Sequence, residues 1–335
     1  MKLAVCVTPE NPCPPVDYGG NEKQADILVR KLIGLGHAVD LYCAPGSTCP
    51  ATQRFETPNA GMQHESLFAH HIEWLSKIYP TYDCVIDMTA NHLCSQNNYQ
   101  RVCPSIAIMT GDPYKKYPHD KVRNRVYVSP QLAEHFGCGD WPVLHNIIAF
   151  DPCSHPLGRG GGGYALYLGA VRPEKGVHLA AKTCAWLGVK LIVAGPVQPR
   201  FRSYLDELQK WPCVEYIGPV NQTDKWKLLS DAGEFIYPVQ WCDAGPLGVM
   251  EALLVGTPVV GIANGGICQD VQDGVNGFLV RKDVESPVSL LAADIILAHK
   301  LDRAVVRQSI IYSINPDLHS RAVVSLCERA MKETW

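Results

Sequence analysis

Short apolar runs of strand type recur along the chain, and most are followed by a loop or by an apolar pattern with helical spacing. The apolar residues after Gly20 lie on one helical face, which predicts an amphipathic helix. Strand-type runs that alternate with helices indicate an α/β fold with parallel sheets. The predicted strands are 2–7, 83–88, 105–109, 125–129, 164–170, 191–196, 234–239, 257–262 and 277–280.

The length of 335 residues exceeds what one hydrophobic core usually serves, so we expect two domains. The run CSHPLGRGGGGY cannot hold regular structure and marks a boundary that can act as a hinge or flexible loop. We expect one domain at 1–150, a glycine-rich linker at 151–163 and a second domain at 164–315. Helical patterns at 286–299, 302–311 and 316–335 follow the last predicted strand.

Composition and charge exclude several classes of protein. A net charge of −3 with mixed signs argues against a nucleic-acid partner, and a hydrophobic content of 47% argues against disorder. No apolar run reaches the length of a membrane span, so we expect at most peripheral membrane contact. The first residues contain too short an apolar stretch for a signal peptide, and we therefore expect a cytoplasmic protein.

The 14 cysteines are scattered without a Cys-x-x-Cys pair, and several lie in predicted strands. Free buried thiols in a reducing compartment are distributed in this way. A zinc set of His92, Cys94 and Cys103 is conceivable, but scattered thiols are the simpler interpretation. We expect no metal site.

Two carboxylates flank a predicted helix start in DAGPLGVMEALLVGTPVV, residues 243–260. Asp243 precedes the helix and Glu251 lies about one turn inside it. Strand-type runs on either side place this unit at strand carboxyl ends, where α/β folds bind ligands. Pro246 is tolerated in a first helical turn, and Gly245 and Gly248 leave backbone N–H groups near the helix start open to an anion such as a diphosphate.

Each of these carboxylates can accept hydrogen bonds from two hydroxyls, which suits a ribose diol or a sugar ring. The pattern therefore indicates a nucleotide-sugar site. The simpler alternative makes Asp243 a helix N-cap and Glu251 a solvated helix residue. The spacing alone leaves both interpretations open.

The segment WCDAGPLGVMEALLVGTPVVG resembles the signature of the GT4 group of retaining glycosyltransferases. The resemblance implies the GT-B fold, in which two Rossmann-like parallel-sheet domains face each other across a cleft and the terminal helix, here 316–335, crosses back to the first domain. Asp243 and Gln269 stand where the family usually has glutamate, and Ile147 stands where it usually has glycine. The shorter Asp243 side chain has about 1.5 Å less reach.

Other stretches match the family in the expected order. In YLGAVRPEKGV, the resemblance makes Arg172 and Lys175 the ligands of the donor diphosphate, and two cations suit the charge that develops as a diphosphate leaves. The resemblance assigns further donor contacts to backbone segments. These are Gly19 and Gly20 of a YGG turn, Gly245, Pro246, Leu247 and Gly248 of the helix start, and Gly265 and Gly266 of a double-glycine loop.

His92 is the candidate for contact with an acceptor hydroxyl, although it also reads as a polar loop residue. The basic stretch YKKYPHDKVRNR at 114–125 is typical of a solvated face, and an acidic acceptor or an anionic membrane surface is its alternative use. No G-x-G-x-x-G follows the first strand, which disfavours a simple dehydrogenase.

These observations predict transfer of a sugar from a nucleoside diphosphate sugar to a hydroxyl of a glycan, a lipid-linked sugar or a small molecule. Neither a cofactor nor a metal ion is expected. Arg172, Lys175 and Asp243 are the predicted catalytic residues, and Glu251 is expected to hold the ribose. A nucleotide-sugar epimerase or hydrolase of related fold and a non-catalytic nucleotide-sugar-binding protein remain as alternatives.

Overall fold

A computed structural model describes residues 1–16, 19–57, 81–89, 92, 95, 103–110 and 122–335. The chain forms two compact units. Unit 1 comprises Met1–Ala149 and Ile314–Trp335, and unit 2 comprises Phe150–Ser313. In the described part of the chain, none of the helices combines the length and the apolar content needed to cross a bilayer.

The elements alternate along both units. Up to the end of the first sheet they are β1 Lys2–Val7, α1 Gly20–Gly34, β2 Ala38–Cys43, β3 Gln53–Glu56, β4 Cys84–Met88, β5 Ser105–Met109, β6 Arg125–Tyr127 and α2 Pro130–His135. The next are β7 Tyr164–Leu168, α3 Val177–Leu187, β8 Lys190–Ala194, α4 Arg202–Leu208, β9 Val214–Gly218, α5 Gln222–Asp231 and β10 Glu234–Tyr237. The last are α6 Leu247–Leu254, β11 Val259–Ala263, α7 Ile267–Asp270, β12 Gly277–Arg281, α8 Val288–Ala298, α9 Arg303–Ile310 and α10 Pro316–Ala330.

The strands of unit 1 form a parallel sheet in the order β3-β2-β1-β4-β5-β6. This is the doubly wound order of a Rossmann-like domain. Central strands such as β1 and β4 are apolar and buried because helices cover both faces of such a sheet. Helix α10 packs against α1 and against β4 and β5, so the last helix is part of unit 1.

The strands of unit 2 repeat this order as β12-β11-β10-β7-β8-β9, again all parallel. Tyr167, Val193, Ile236 and Val260 from four of the strands lie in one buried cluster with residues of α3 and α8. The strand order reverses between β7 and β10, and ligands bind at such a switch point in open α/β sheets. The loops that follow β7 and β10 therefore define the part of unit 2 in which a site is expected.

The predicted fold class of two Rossmann-like parallel sheets is confirmed. Several element ends differ from the predicted bounds for local reasons. Ser129 lies outside β6 because its hydroxyl caps α2 by accepting the N–H of Leu132. Strand β10 ends at Tyr237 because Pro238 has no N–H to continue a ladder.

The glycine-rich run before β7 is held within unit 2. The N–H groups of Gly158, Gly160 and Gly162 donate to the carbonyls of Val255, Ser230 and Asp231, at 2.8, 3.1 and 2.9 Å. A Cβ on Gly158 would lie 2.5 Å from the Ser230 carbonyl oxygen. The structure thus uses glycine at Gly158 for close backbone packing.

Candidate functional site

The loop after β7 carries Lys175 to the loop after β10. A single 3-10 turn, Pro173–Lys175, ends at Gly176, whose φ of 72° favours glycine. A Cβ at Gly176 would lie 1.9 Å from the carbonyl oxygen of Pro238. This close approach holds the cation beside the end of β10.

Lys175, Tyr237 and Asp243 form a closed hydrogen-bonded group at the carboxyl ends of β7 and β10. The Lys175 ammonium lies 2.5 Å from Oδ2 of Asp243 and donates to the Tyr237 hydroxyl at 2.9 Å. The Tyr237 hydroxyl in turn donates to the same Oδ2 at 2.5 Å. One carboxylate oxygen therefore accepts two donors from different elements.

The environment of Asp243 favours its charged form. Burial alone would raise the pKa of this carboxyl, but the Lys175 charge and the hydrogen bonds from Lys175, Tyr237 and Trp241 hold the pKa below the ordinary value. The residue is 9% exposed and does not cap α6, whose N-cap is Pro246. The alternative interpretation of Asp243 as an N-cap is therefore wrong.

Arg172 lies in the same loop as Lys175. Its guanidinium carbon is 4.6 Å from the centroid of the Trp241 ring, and the Lys175 ammonium lies 5.0 Å from that centroid. Within the described residues, the buried Nε of Arg172 has no hydrogen-bond partner. A buried donor without a partner favours an incoming acceptor such as a phosphate oxygen.

Glu251 forms an ion pair with Lys225, which projects from α5. The Lys225 and Glu251 side chains are only 5% and 7% exposed, so both charges are removed from water. The Lys225 ammonium also lies 5.0 Å from the centroid of the Trp226 ring. The alternative interpretation of Glu251 as a solvated helix residue is wrong.

The start of α6 offers fewer donors than a typical helix start. Pro246 has no N–H, so the first donors of the helix belong to Leu247 and Gly248, for which the first turn supplies no carbonyl partner. A Cβ on Gly248 would lie 3.3 Å from Cζ of Phe235, so this glycine also lets α6 approach β10. Gly245 lies in the loop between Asp243 and this helix start.

The double glycine of the loop after β11 packs against the segment that carries Asp243. The N–H of Gly266 donates to the Asp243 carbonyl at 2.6 Å, and Asp243 pairs with Gly265 in a parallel bridge. A Cβ on Gly265 would lie 2.2 Å from that carbonyl oxygen, and one on Gly266 would lie 2.3 Å from the carbonyl oxygen of Ala244. Both glycines therefore position the acidic loop.

Gly19 and Gly20 lie at the start of α1 in unit 1, and Tyr18 of the YGG turn lies outside the described residues. A Cβ on Gly19 would lie 2.7 Å from Oε2 of Glu22, a buried side chain. Burial raises the pKa of Glu22. The Glu22 carboxyl group therefore lies beside the start of α1.

His92 is also in unit 1, where its φ of 46° places it in the left-handed region. The side chain is 2% exposed, and burial lowers its pKa against the opposing effect of Asp87. Its Nδ1 is buried without a hydrogen-bond partner among the described residues. Cys94 of the conceivable zinc set and most of the basic stretch, 114–121, lie outside the described residues.

Sequence reasoning missed three residues of the site. Tyr237 and Trp241 lie within seven positions of Asp243, and their aromatic character beside a strand end was the available signal. Lys225 lies 26 positions before Glu251 on a surface helix, so no spacing rule connects the two. Only the packing of α5 on α6 brings this pair together.

Residues 157–303 match the family model described as "Glycosyl transferases group 1". The putative colanic acid biosynthesis glycosyltransferase WcaL of Salmonella typhimurium is 28% identical over 171 residues, which cover 46% of this chain and 42% of that protein. The chain therefore matches less than half the length of this curated relative.

Solved structures match the whole chain. AviGT4, a glycosyltransferase involved in avilamycin A biosynthesis, superposes with a TM-score of 0.75 and 24% identity, with full coverage of both chains. Anabaena HepE in complex with UDP and glucose superposes with a TM-score of 0.72 and 15% identity, covering 98% of this chain and all of HepE. The resemblance read from the sequence is confirmed: the chain is similar to GT4-type glycosyltransferases of the GT-B fold, and residues 157–303 match their group 1 family.

Proposed function

We propose that the protein transfers a sugar from a nucleoside diphosphate sugar to an acceptor hydroxyl, with retention of anomeric configuration and without a metal ion. One observation carries the proposal: Lys175, Tyr237 and Asp243 converge at the switch point of unit 2, and Arg172 lies in the same loop as Lys175. The similarity to glycosyltransferases supports it. A cytoplasmic location belongs to the same proposal.

The diphosphate of the donor is assigned to Arg172, Lys175 and the N–H groups of Leu247 and Gly248. Arg172 has a buried donor without a partner, and the helix start supplies two more donors. Two cations and amide dipoles lower the energy of the leaving diphosphate as negative charge develops on it. Glu251 is assigned to the ribose, and the Gly265–Gly266 backbone to the support of the acidic loop.

Asp243 is assigned to a hydroxyl of the donor sugar. Its Oδ2 already accepts hydrogen bonds from Lys175 and Tyr237, which lowers the nucleophilicity of that oxygen. This engagement favours a same-face substitution, in which the leaving phosphate takes the acceptor proton, over a covalent intermediate on Asp243. His92 of unit 1 is assigned to the acceptor, and Gly19 and Gly20 keep the donor contacts that the family resemblance implies.

The donor class is tested first by thermal shift. HepE was solved with UDP and glucose, so UDP-sugars are the first donors to test, beside GDP-, ADP- and TDP-sugars. A selective donor raises the melting temperature by mass action. If no nucleoside diphosphate sugar raises the melting temperature at millimolar concentration, the proposal is contradicted.

The role of Lys175 is tested by Lys175→Ala, with Lys182→Ala on the exposed side of α3 as the matched control. We expect turnover of the selected donor to fall by a factor of about 100 or more in Lys175→Ala and to stay unchanged in the control. Donor consumption at the wild-type rate in Lys175→Ala would show that this assignment is wrong.

A donor-only incubation separates the alternatives. An isomerised sugar or rapid release of free sugar identifies an epimerase or a hydrolase. Binding without any consumption, even with a panel of acceptors, identifies a nucleotide-sugar-binding protein. In the latter case, recovery of activity in Asp243→Glu would indicate that the shorter side chain causes the loss.

A further inference from the structure

Two thiols and a carboxylate from distant parts of the sequence meet inside unit 1. Cys13 lies in the loop after β1, Cys49 in the loop after β2 and Asp26 on α1. Their Sγ and carboxylate oxygen atoms all lie within 4.8 Å of one another. Both thiols are fully buried, and in the described part of the chain this is the one place where three such ligand atoms come so close.

Backbone and side-chain hydrogen bonds hold the two loops that carry these thiols together. The Cys13 carbonyl accepts the N–H groups of Thr48 and Cys49, both at 2.9 Å, and the Cys13 N–H donates to the Ser47 hydroxyl at 2.8 Å. The Cys13 thiol also donates to the Glu22 carbonyl at 3.3 Å, which ties this loop to α1. The two sulfur atoms are thus held in place before an ion binds.

The carboxylate supplies a second, independent observation. Oδ2 of Asp26 accepts the Arg30 Nε–H at 2.9 Å, whereas no N–H group of the described residues donates to the buried Oδ1, and the Cys49 thiol is the neighbouring donor of the carboxylate. A buried carboxylate oxygen without a strong donor is costly unless a cation completes it. The Arg30 contact resembles the outer hydrogen bonds that orient carboxylate ligands of metals.

We propose that Cys13, Cys49 and Asp26 bind a zinc ion that fastens the loops after β1 and β2 to α1. Two thiolates and one carboxylate are ordinary zinc ligands, and a water completes the tetrahedron. Zinc–sulfur bonds of about 2.3 Å place two thiolates about 3.8 Å apart, so small side-chain movements within the observed cluster suffice. On binding, each thiol releases its proton to the buffer as its sulfur–zinc bond forms, and no oxidant or reductant takes part.

The proposal is tested on the full-length protein with Zn²⁺ as the probe, by titration against a chromophoric chelator. We expect one equivalent to bind, with the release of two protons. Affinity should fall by a factor of about 100 or more in Cys13→Ser and Cys49→Ser. Cys103→Ser is the matched control, because Cys103 is a buried thiol of the same unit that donates to the Tyr82 carbonyl and is not in the cluster.

Two further readouts guard against variants that fail to fold. Asp26→Asn keeps the size of a side chain that is 14% exposed, and it should weaken binding while the metal-free melting temperature stays near that of the wild type. Cobalt bound in place of zinc should show sulfur-to-cobalt charge-transfer absorption that disappears in Cys49→Ser. Equal zinc affinity in the wild type and Cys49→Ser, loss of binding in Cys103→Ser alone, or a Cys13–Cys49 disulfide in protein purified without reductant would each overturn the proposal.

Discussion

Removal of the Lys225 charge should destabilise unit 2 far more than removal of a neighbouring lysine charge. Lys225→Met keeps most of the aliphatic stem but leaves the Glu251 carboxylate without its partner. The Lys225 and Glu251 side chains are 5% and 7% exposed, so water cannot take over the lost contact. Breaking a buried ion pair at one end costs about 3–5 kcal/mol, which is a large part of the stability of a typical domain.

The matched control is Lys227→Met, two positions along the same helix, where the lysine is exposed. Its effect should stay within about 0.5 kcal/mol. The double variant Lys225→Met/Glu251→Leu removes both charges, and replacement of a buried pair by apolar residues is often close to neutral. We therefore expect the double variant to recover most of the stability lost in the single variant.

Hydrogen exchange read by mass spectrometry suits this measurement because it reports peptides of α5 and α6 separately from unit 1. The expected cost corresponds to a rise of at least about 100-fold in the opening constant of these peptides. A cost below about 1 kcal/mol in Lys225→Met, or a double variant as unstable as the single one, would refute the reasoning.

Three further outcomes follow from the geometry. Gly265→Ala should destabilise unit 2 and lower donor turnover, because the new Cβ would lie 2.2 Å from the Asp243 carbonyl oxygen. Gly274 has a similar φ but open space around it, so Gly274→Ala should lower the free energy of unfolding by only about 1–2 kcal/mol in chemical denaturation. Tyr237→Phe removes a hydrogen bond that lowers the pKa of Asp243, so the acidic limb of the pH profile of turnover should move to higher pH. An acidic limb at the wild-type pH would exclude a role for the charged form of Asp243. Burial raises the pKa of Glu234 from 4.5 to about 8, so the folded state retains a proton that the unfolded chain releases. The free energy of unfolding should therefore fall between about pH 5 and about pH 8, and Glu234→Gln should flatten that fall in thermal unfolding.

Periodicity, turn chemistry and length predicted an α/β chain of two domains, and the family resemblance implied the two Rossmann-like sheets. The buried strands of parallel sheets are short apolar runs, and runs such as Lys2–Val7 have no competing interpretation. Strands β2, β3 and β9 escaped prediction. The apolar run of β2 is interrupted by Asp40, and β3 is polar and mostly exposed at the sheet edge, so both strands carry a weaker apolar signal. Strand β9 is an edge strand of the second sheet, and none of its residues is fully buried.

The site was only partly predictable, because some of its residues lie in local sequence motifs and others are brought there by the packing of helices. Arg172, Lys175, Asp243 and Glu251 lie in local segments with recognisable glycines and strand ends, and a family pattern covers those segments. The partner of Glu251 depends on helix packing, which leaves no trace in spacing along the chain. The glycines at 265 and 266 were predicted to let the backbone approach the donor, and the structure shows a different close approach, to the protein's own Asp243 and Ala244 backbone.

The Cys13, Asp26 and Cys49 cluster shows the same limit. Separations of 13 and 23 positions match no metal-binding spacing, so the sequence offered only isolated thiols. The parallel order of β1 and β2 brings the ends of both strands to one edge of the sheet, and α1 connects them. Metal-ligand geometry that arises from topology alone cannot be read from a linear motif.

The inclusion of residues 314–335 in unit 1 has a consequence for biosynthesis. Trp335 exchanges backbone and side-chain hydrogen bonds with Asn124, at 2.9 Å in each direction, beside strand β6. A ribosome synthesises residues 314–335 only after all of unit 2, so every residue of unit 2 is available earlier. Unit 2 can therefore complete its folding first, while residues 1–149 stay partly uncovered and open to chaperones until residues 314–335 have been synthesised.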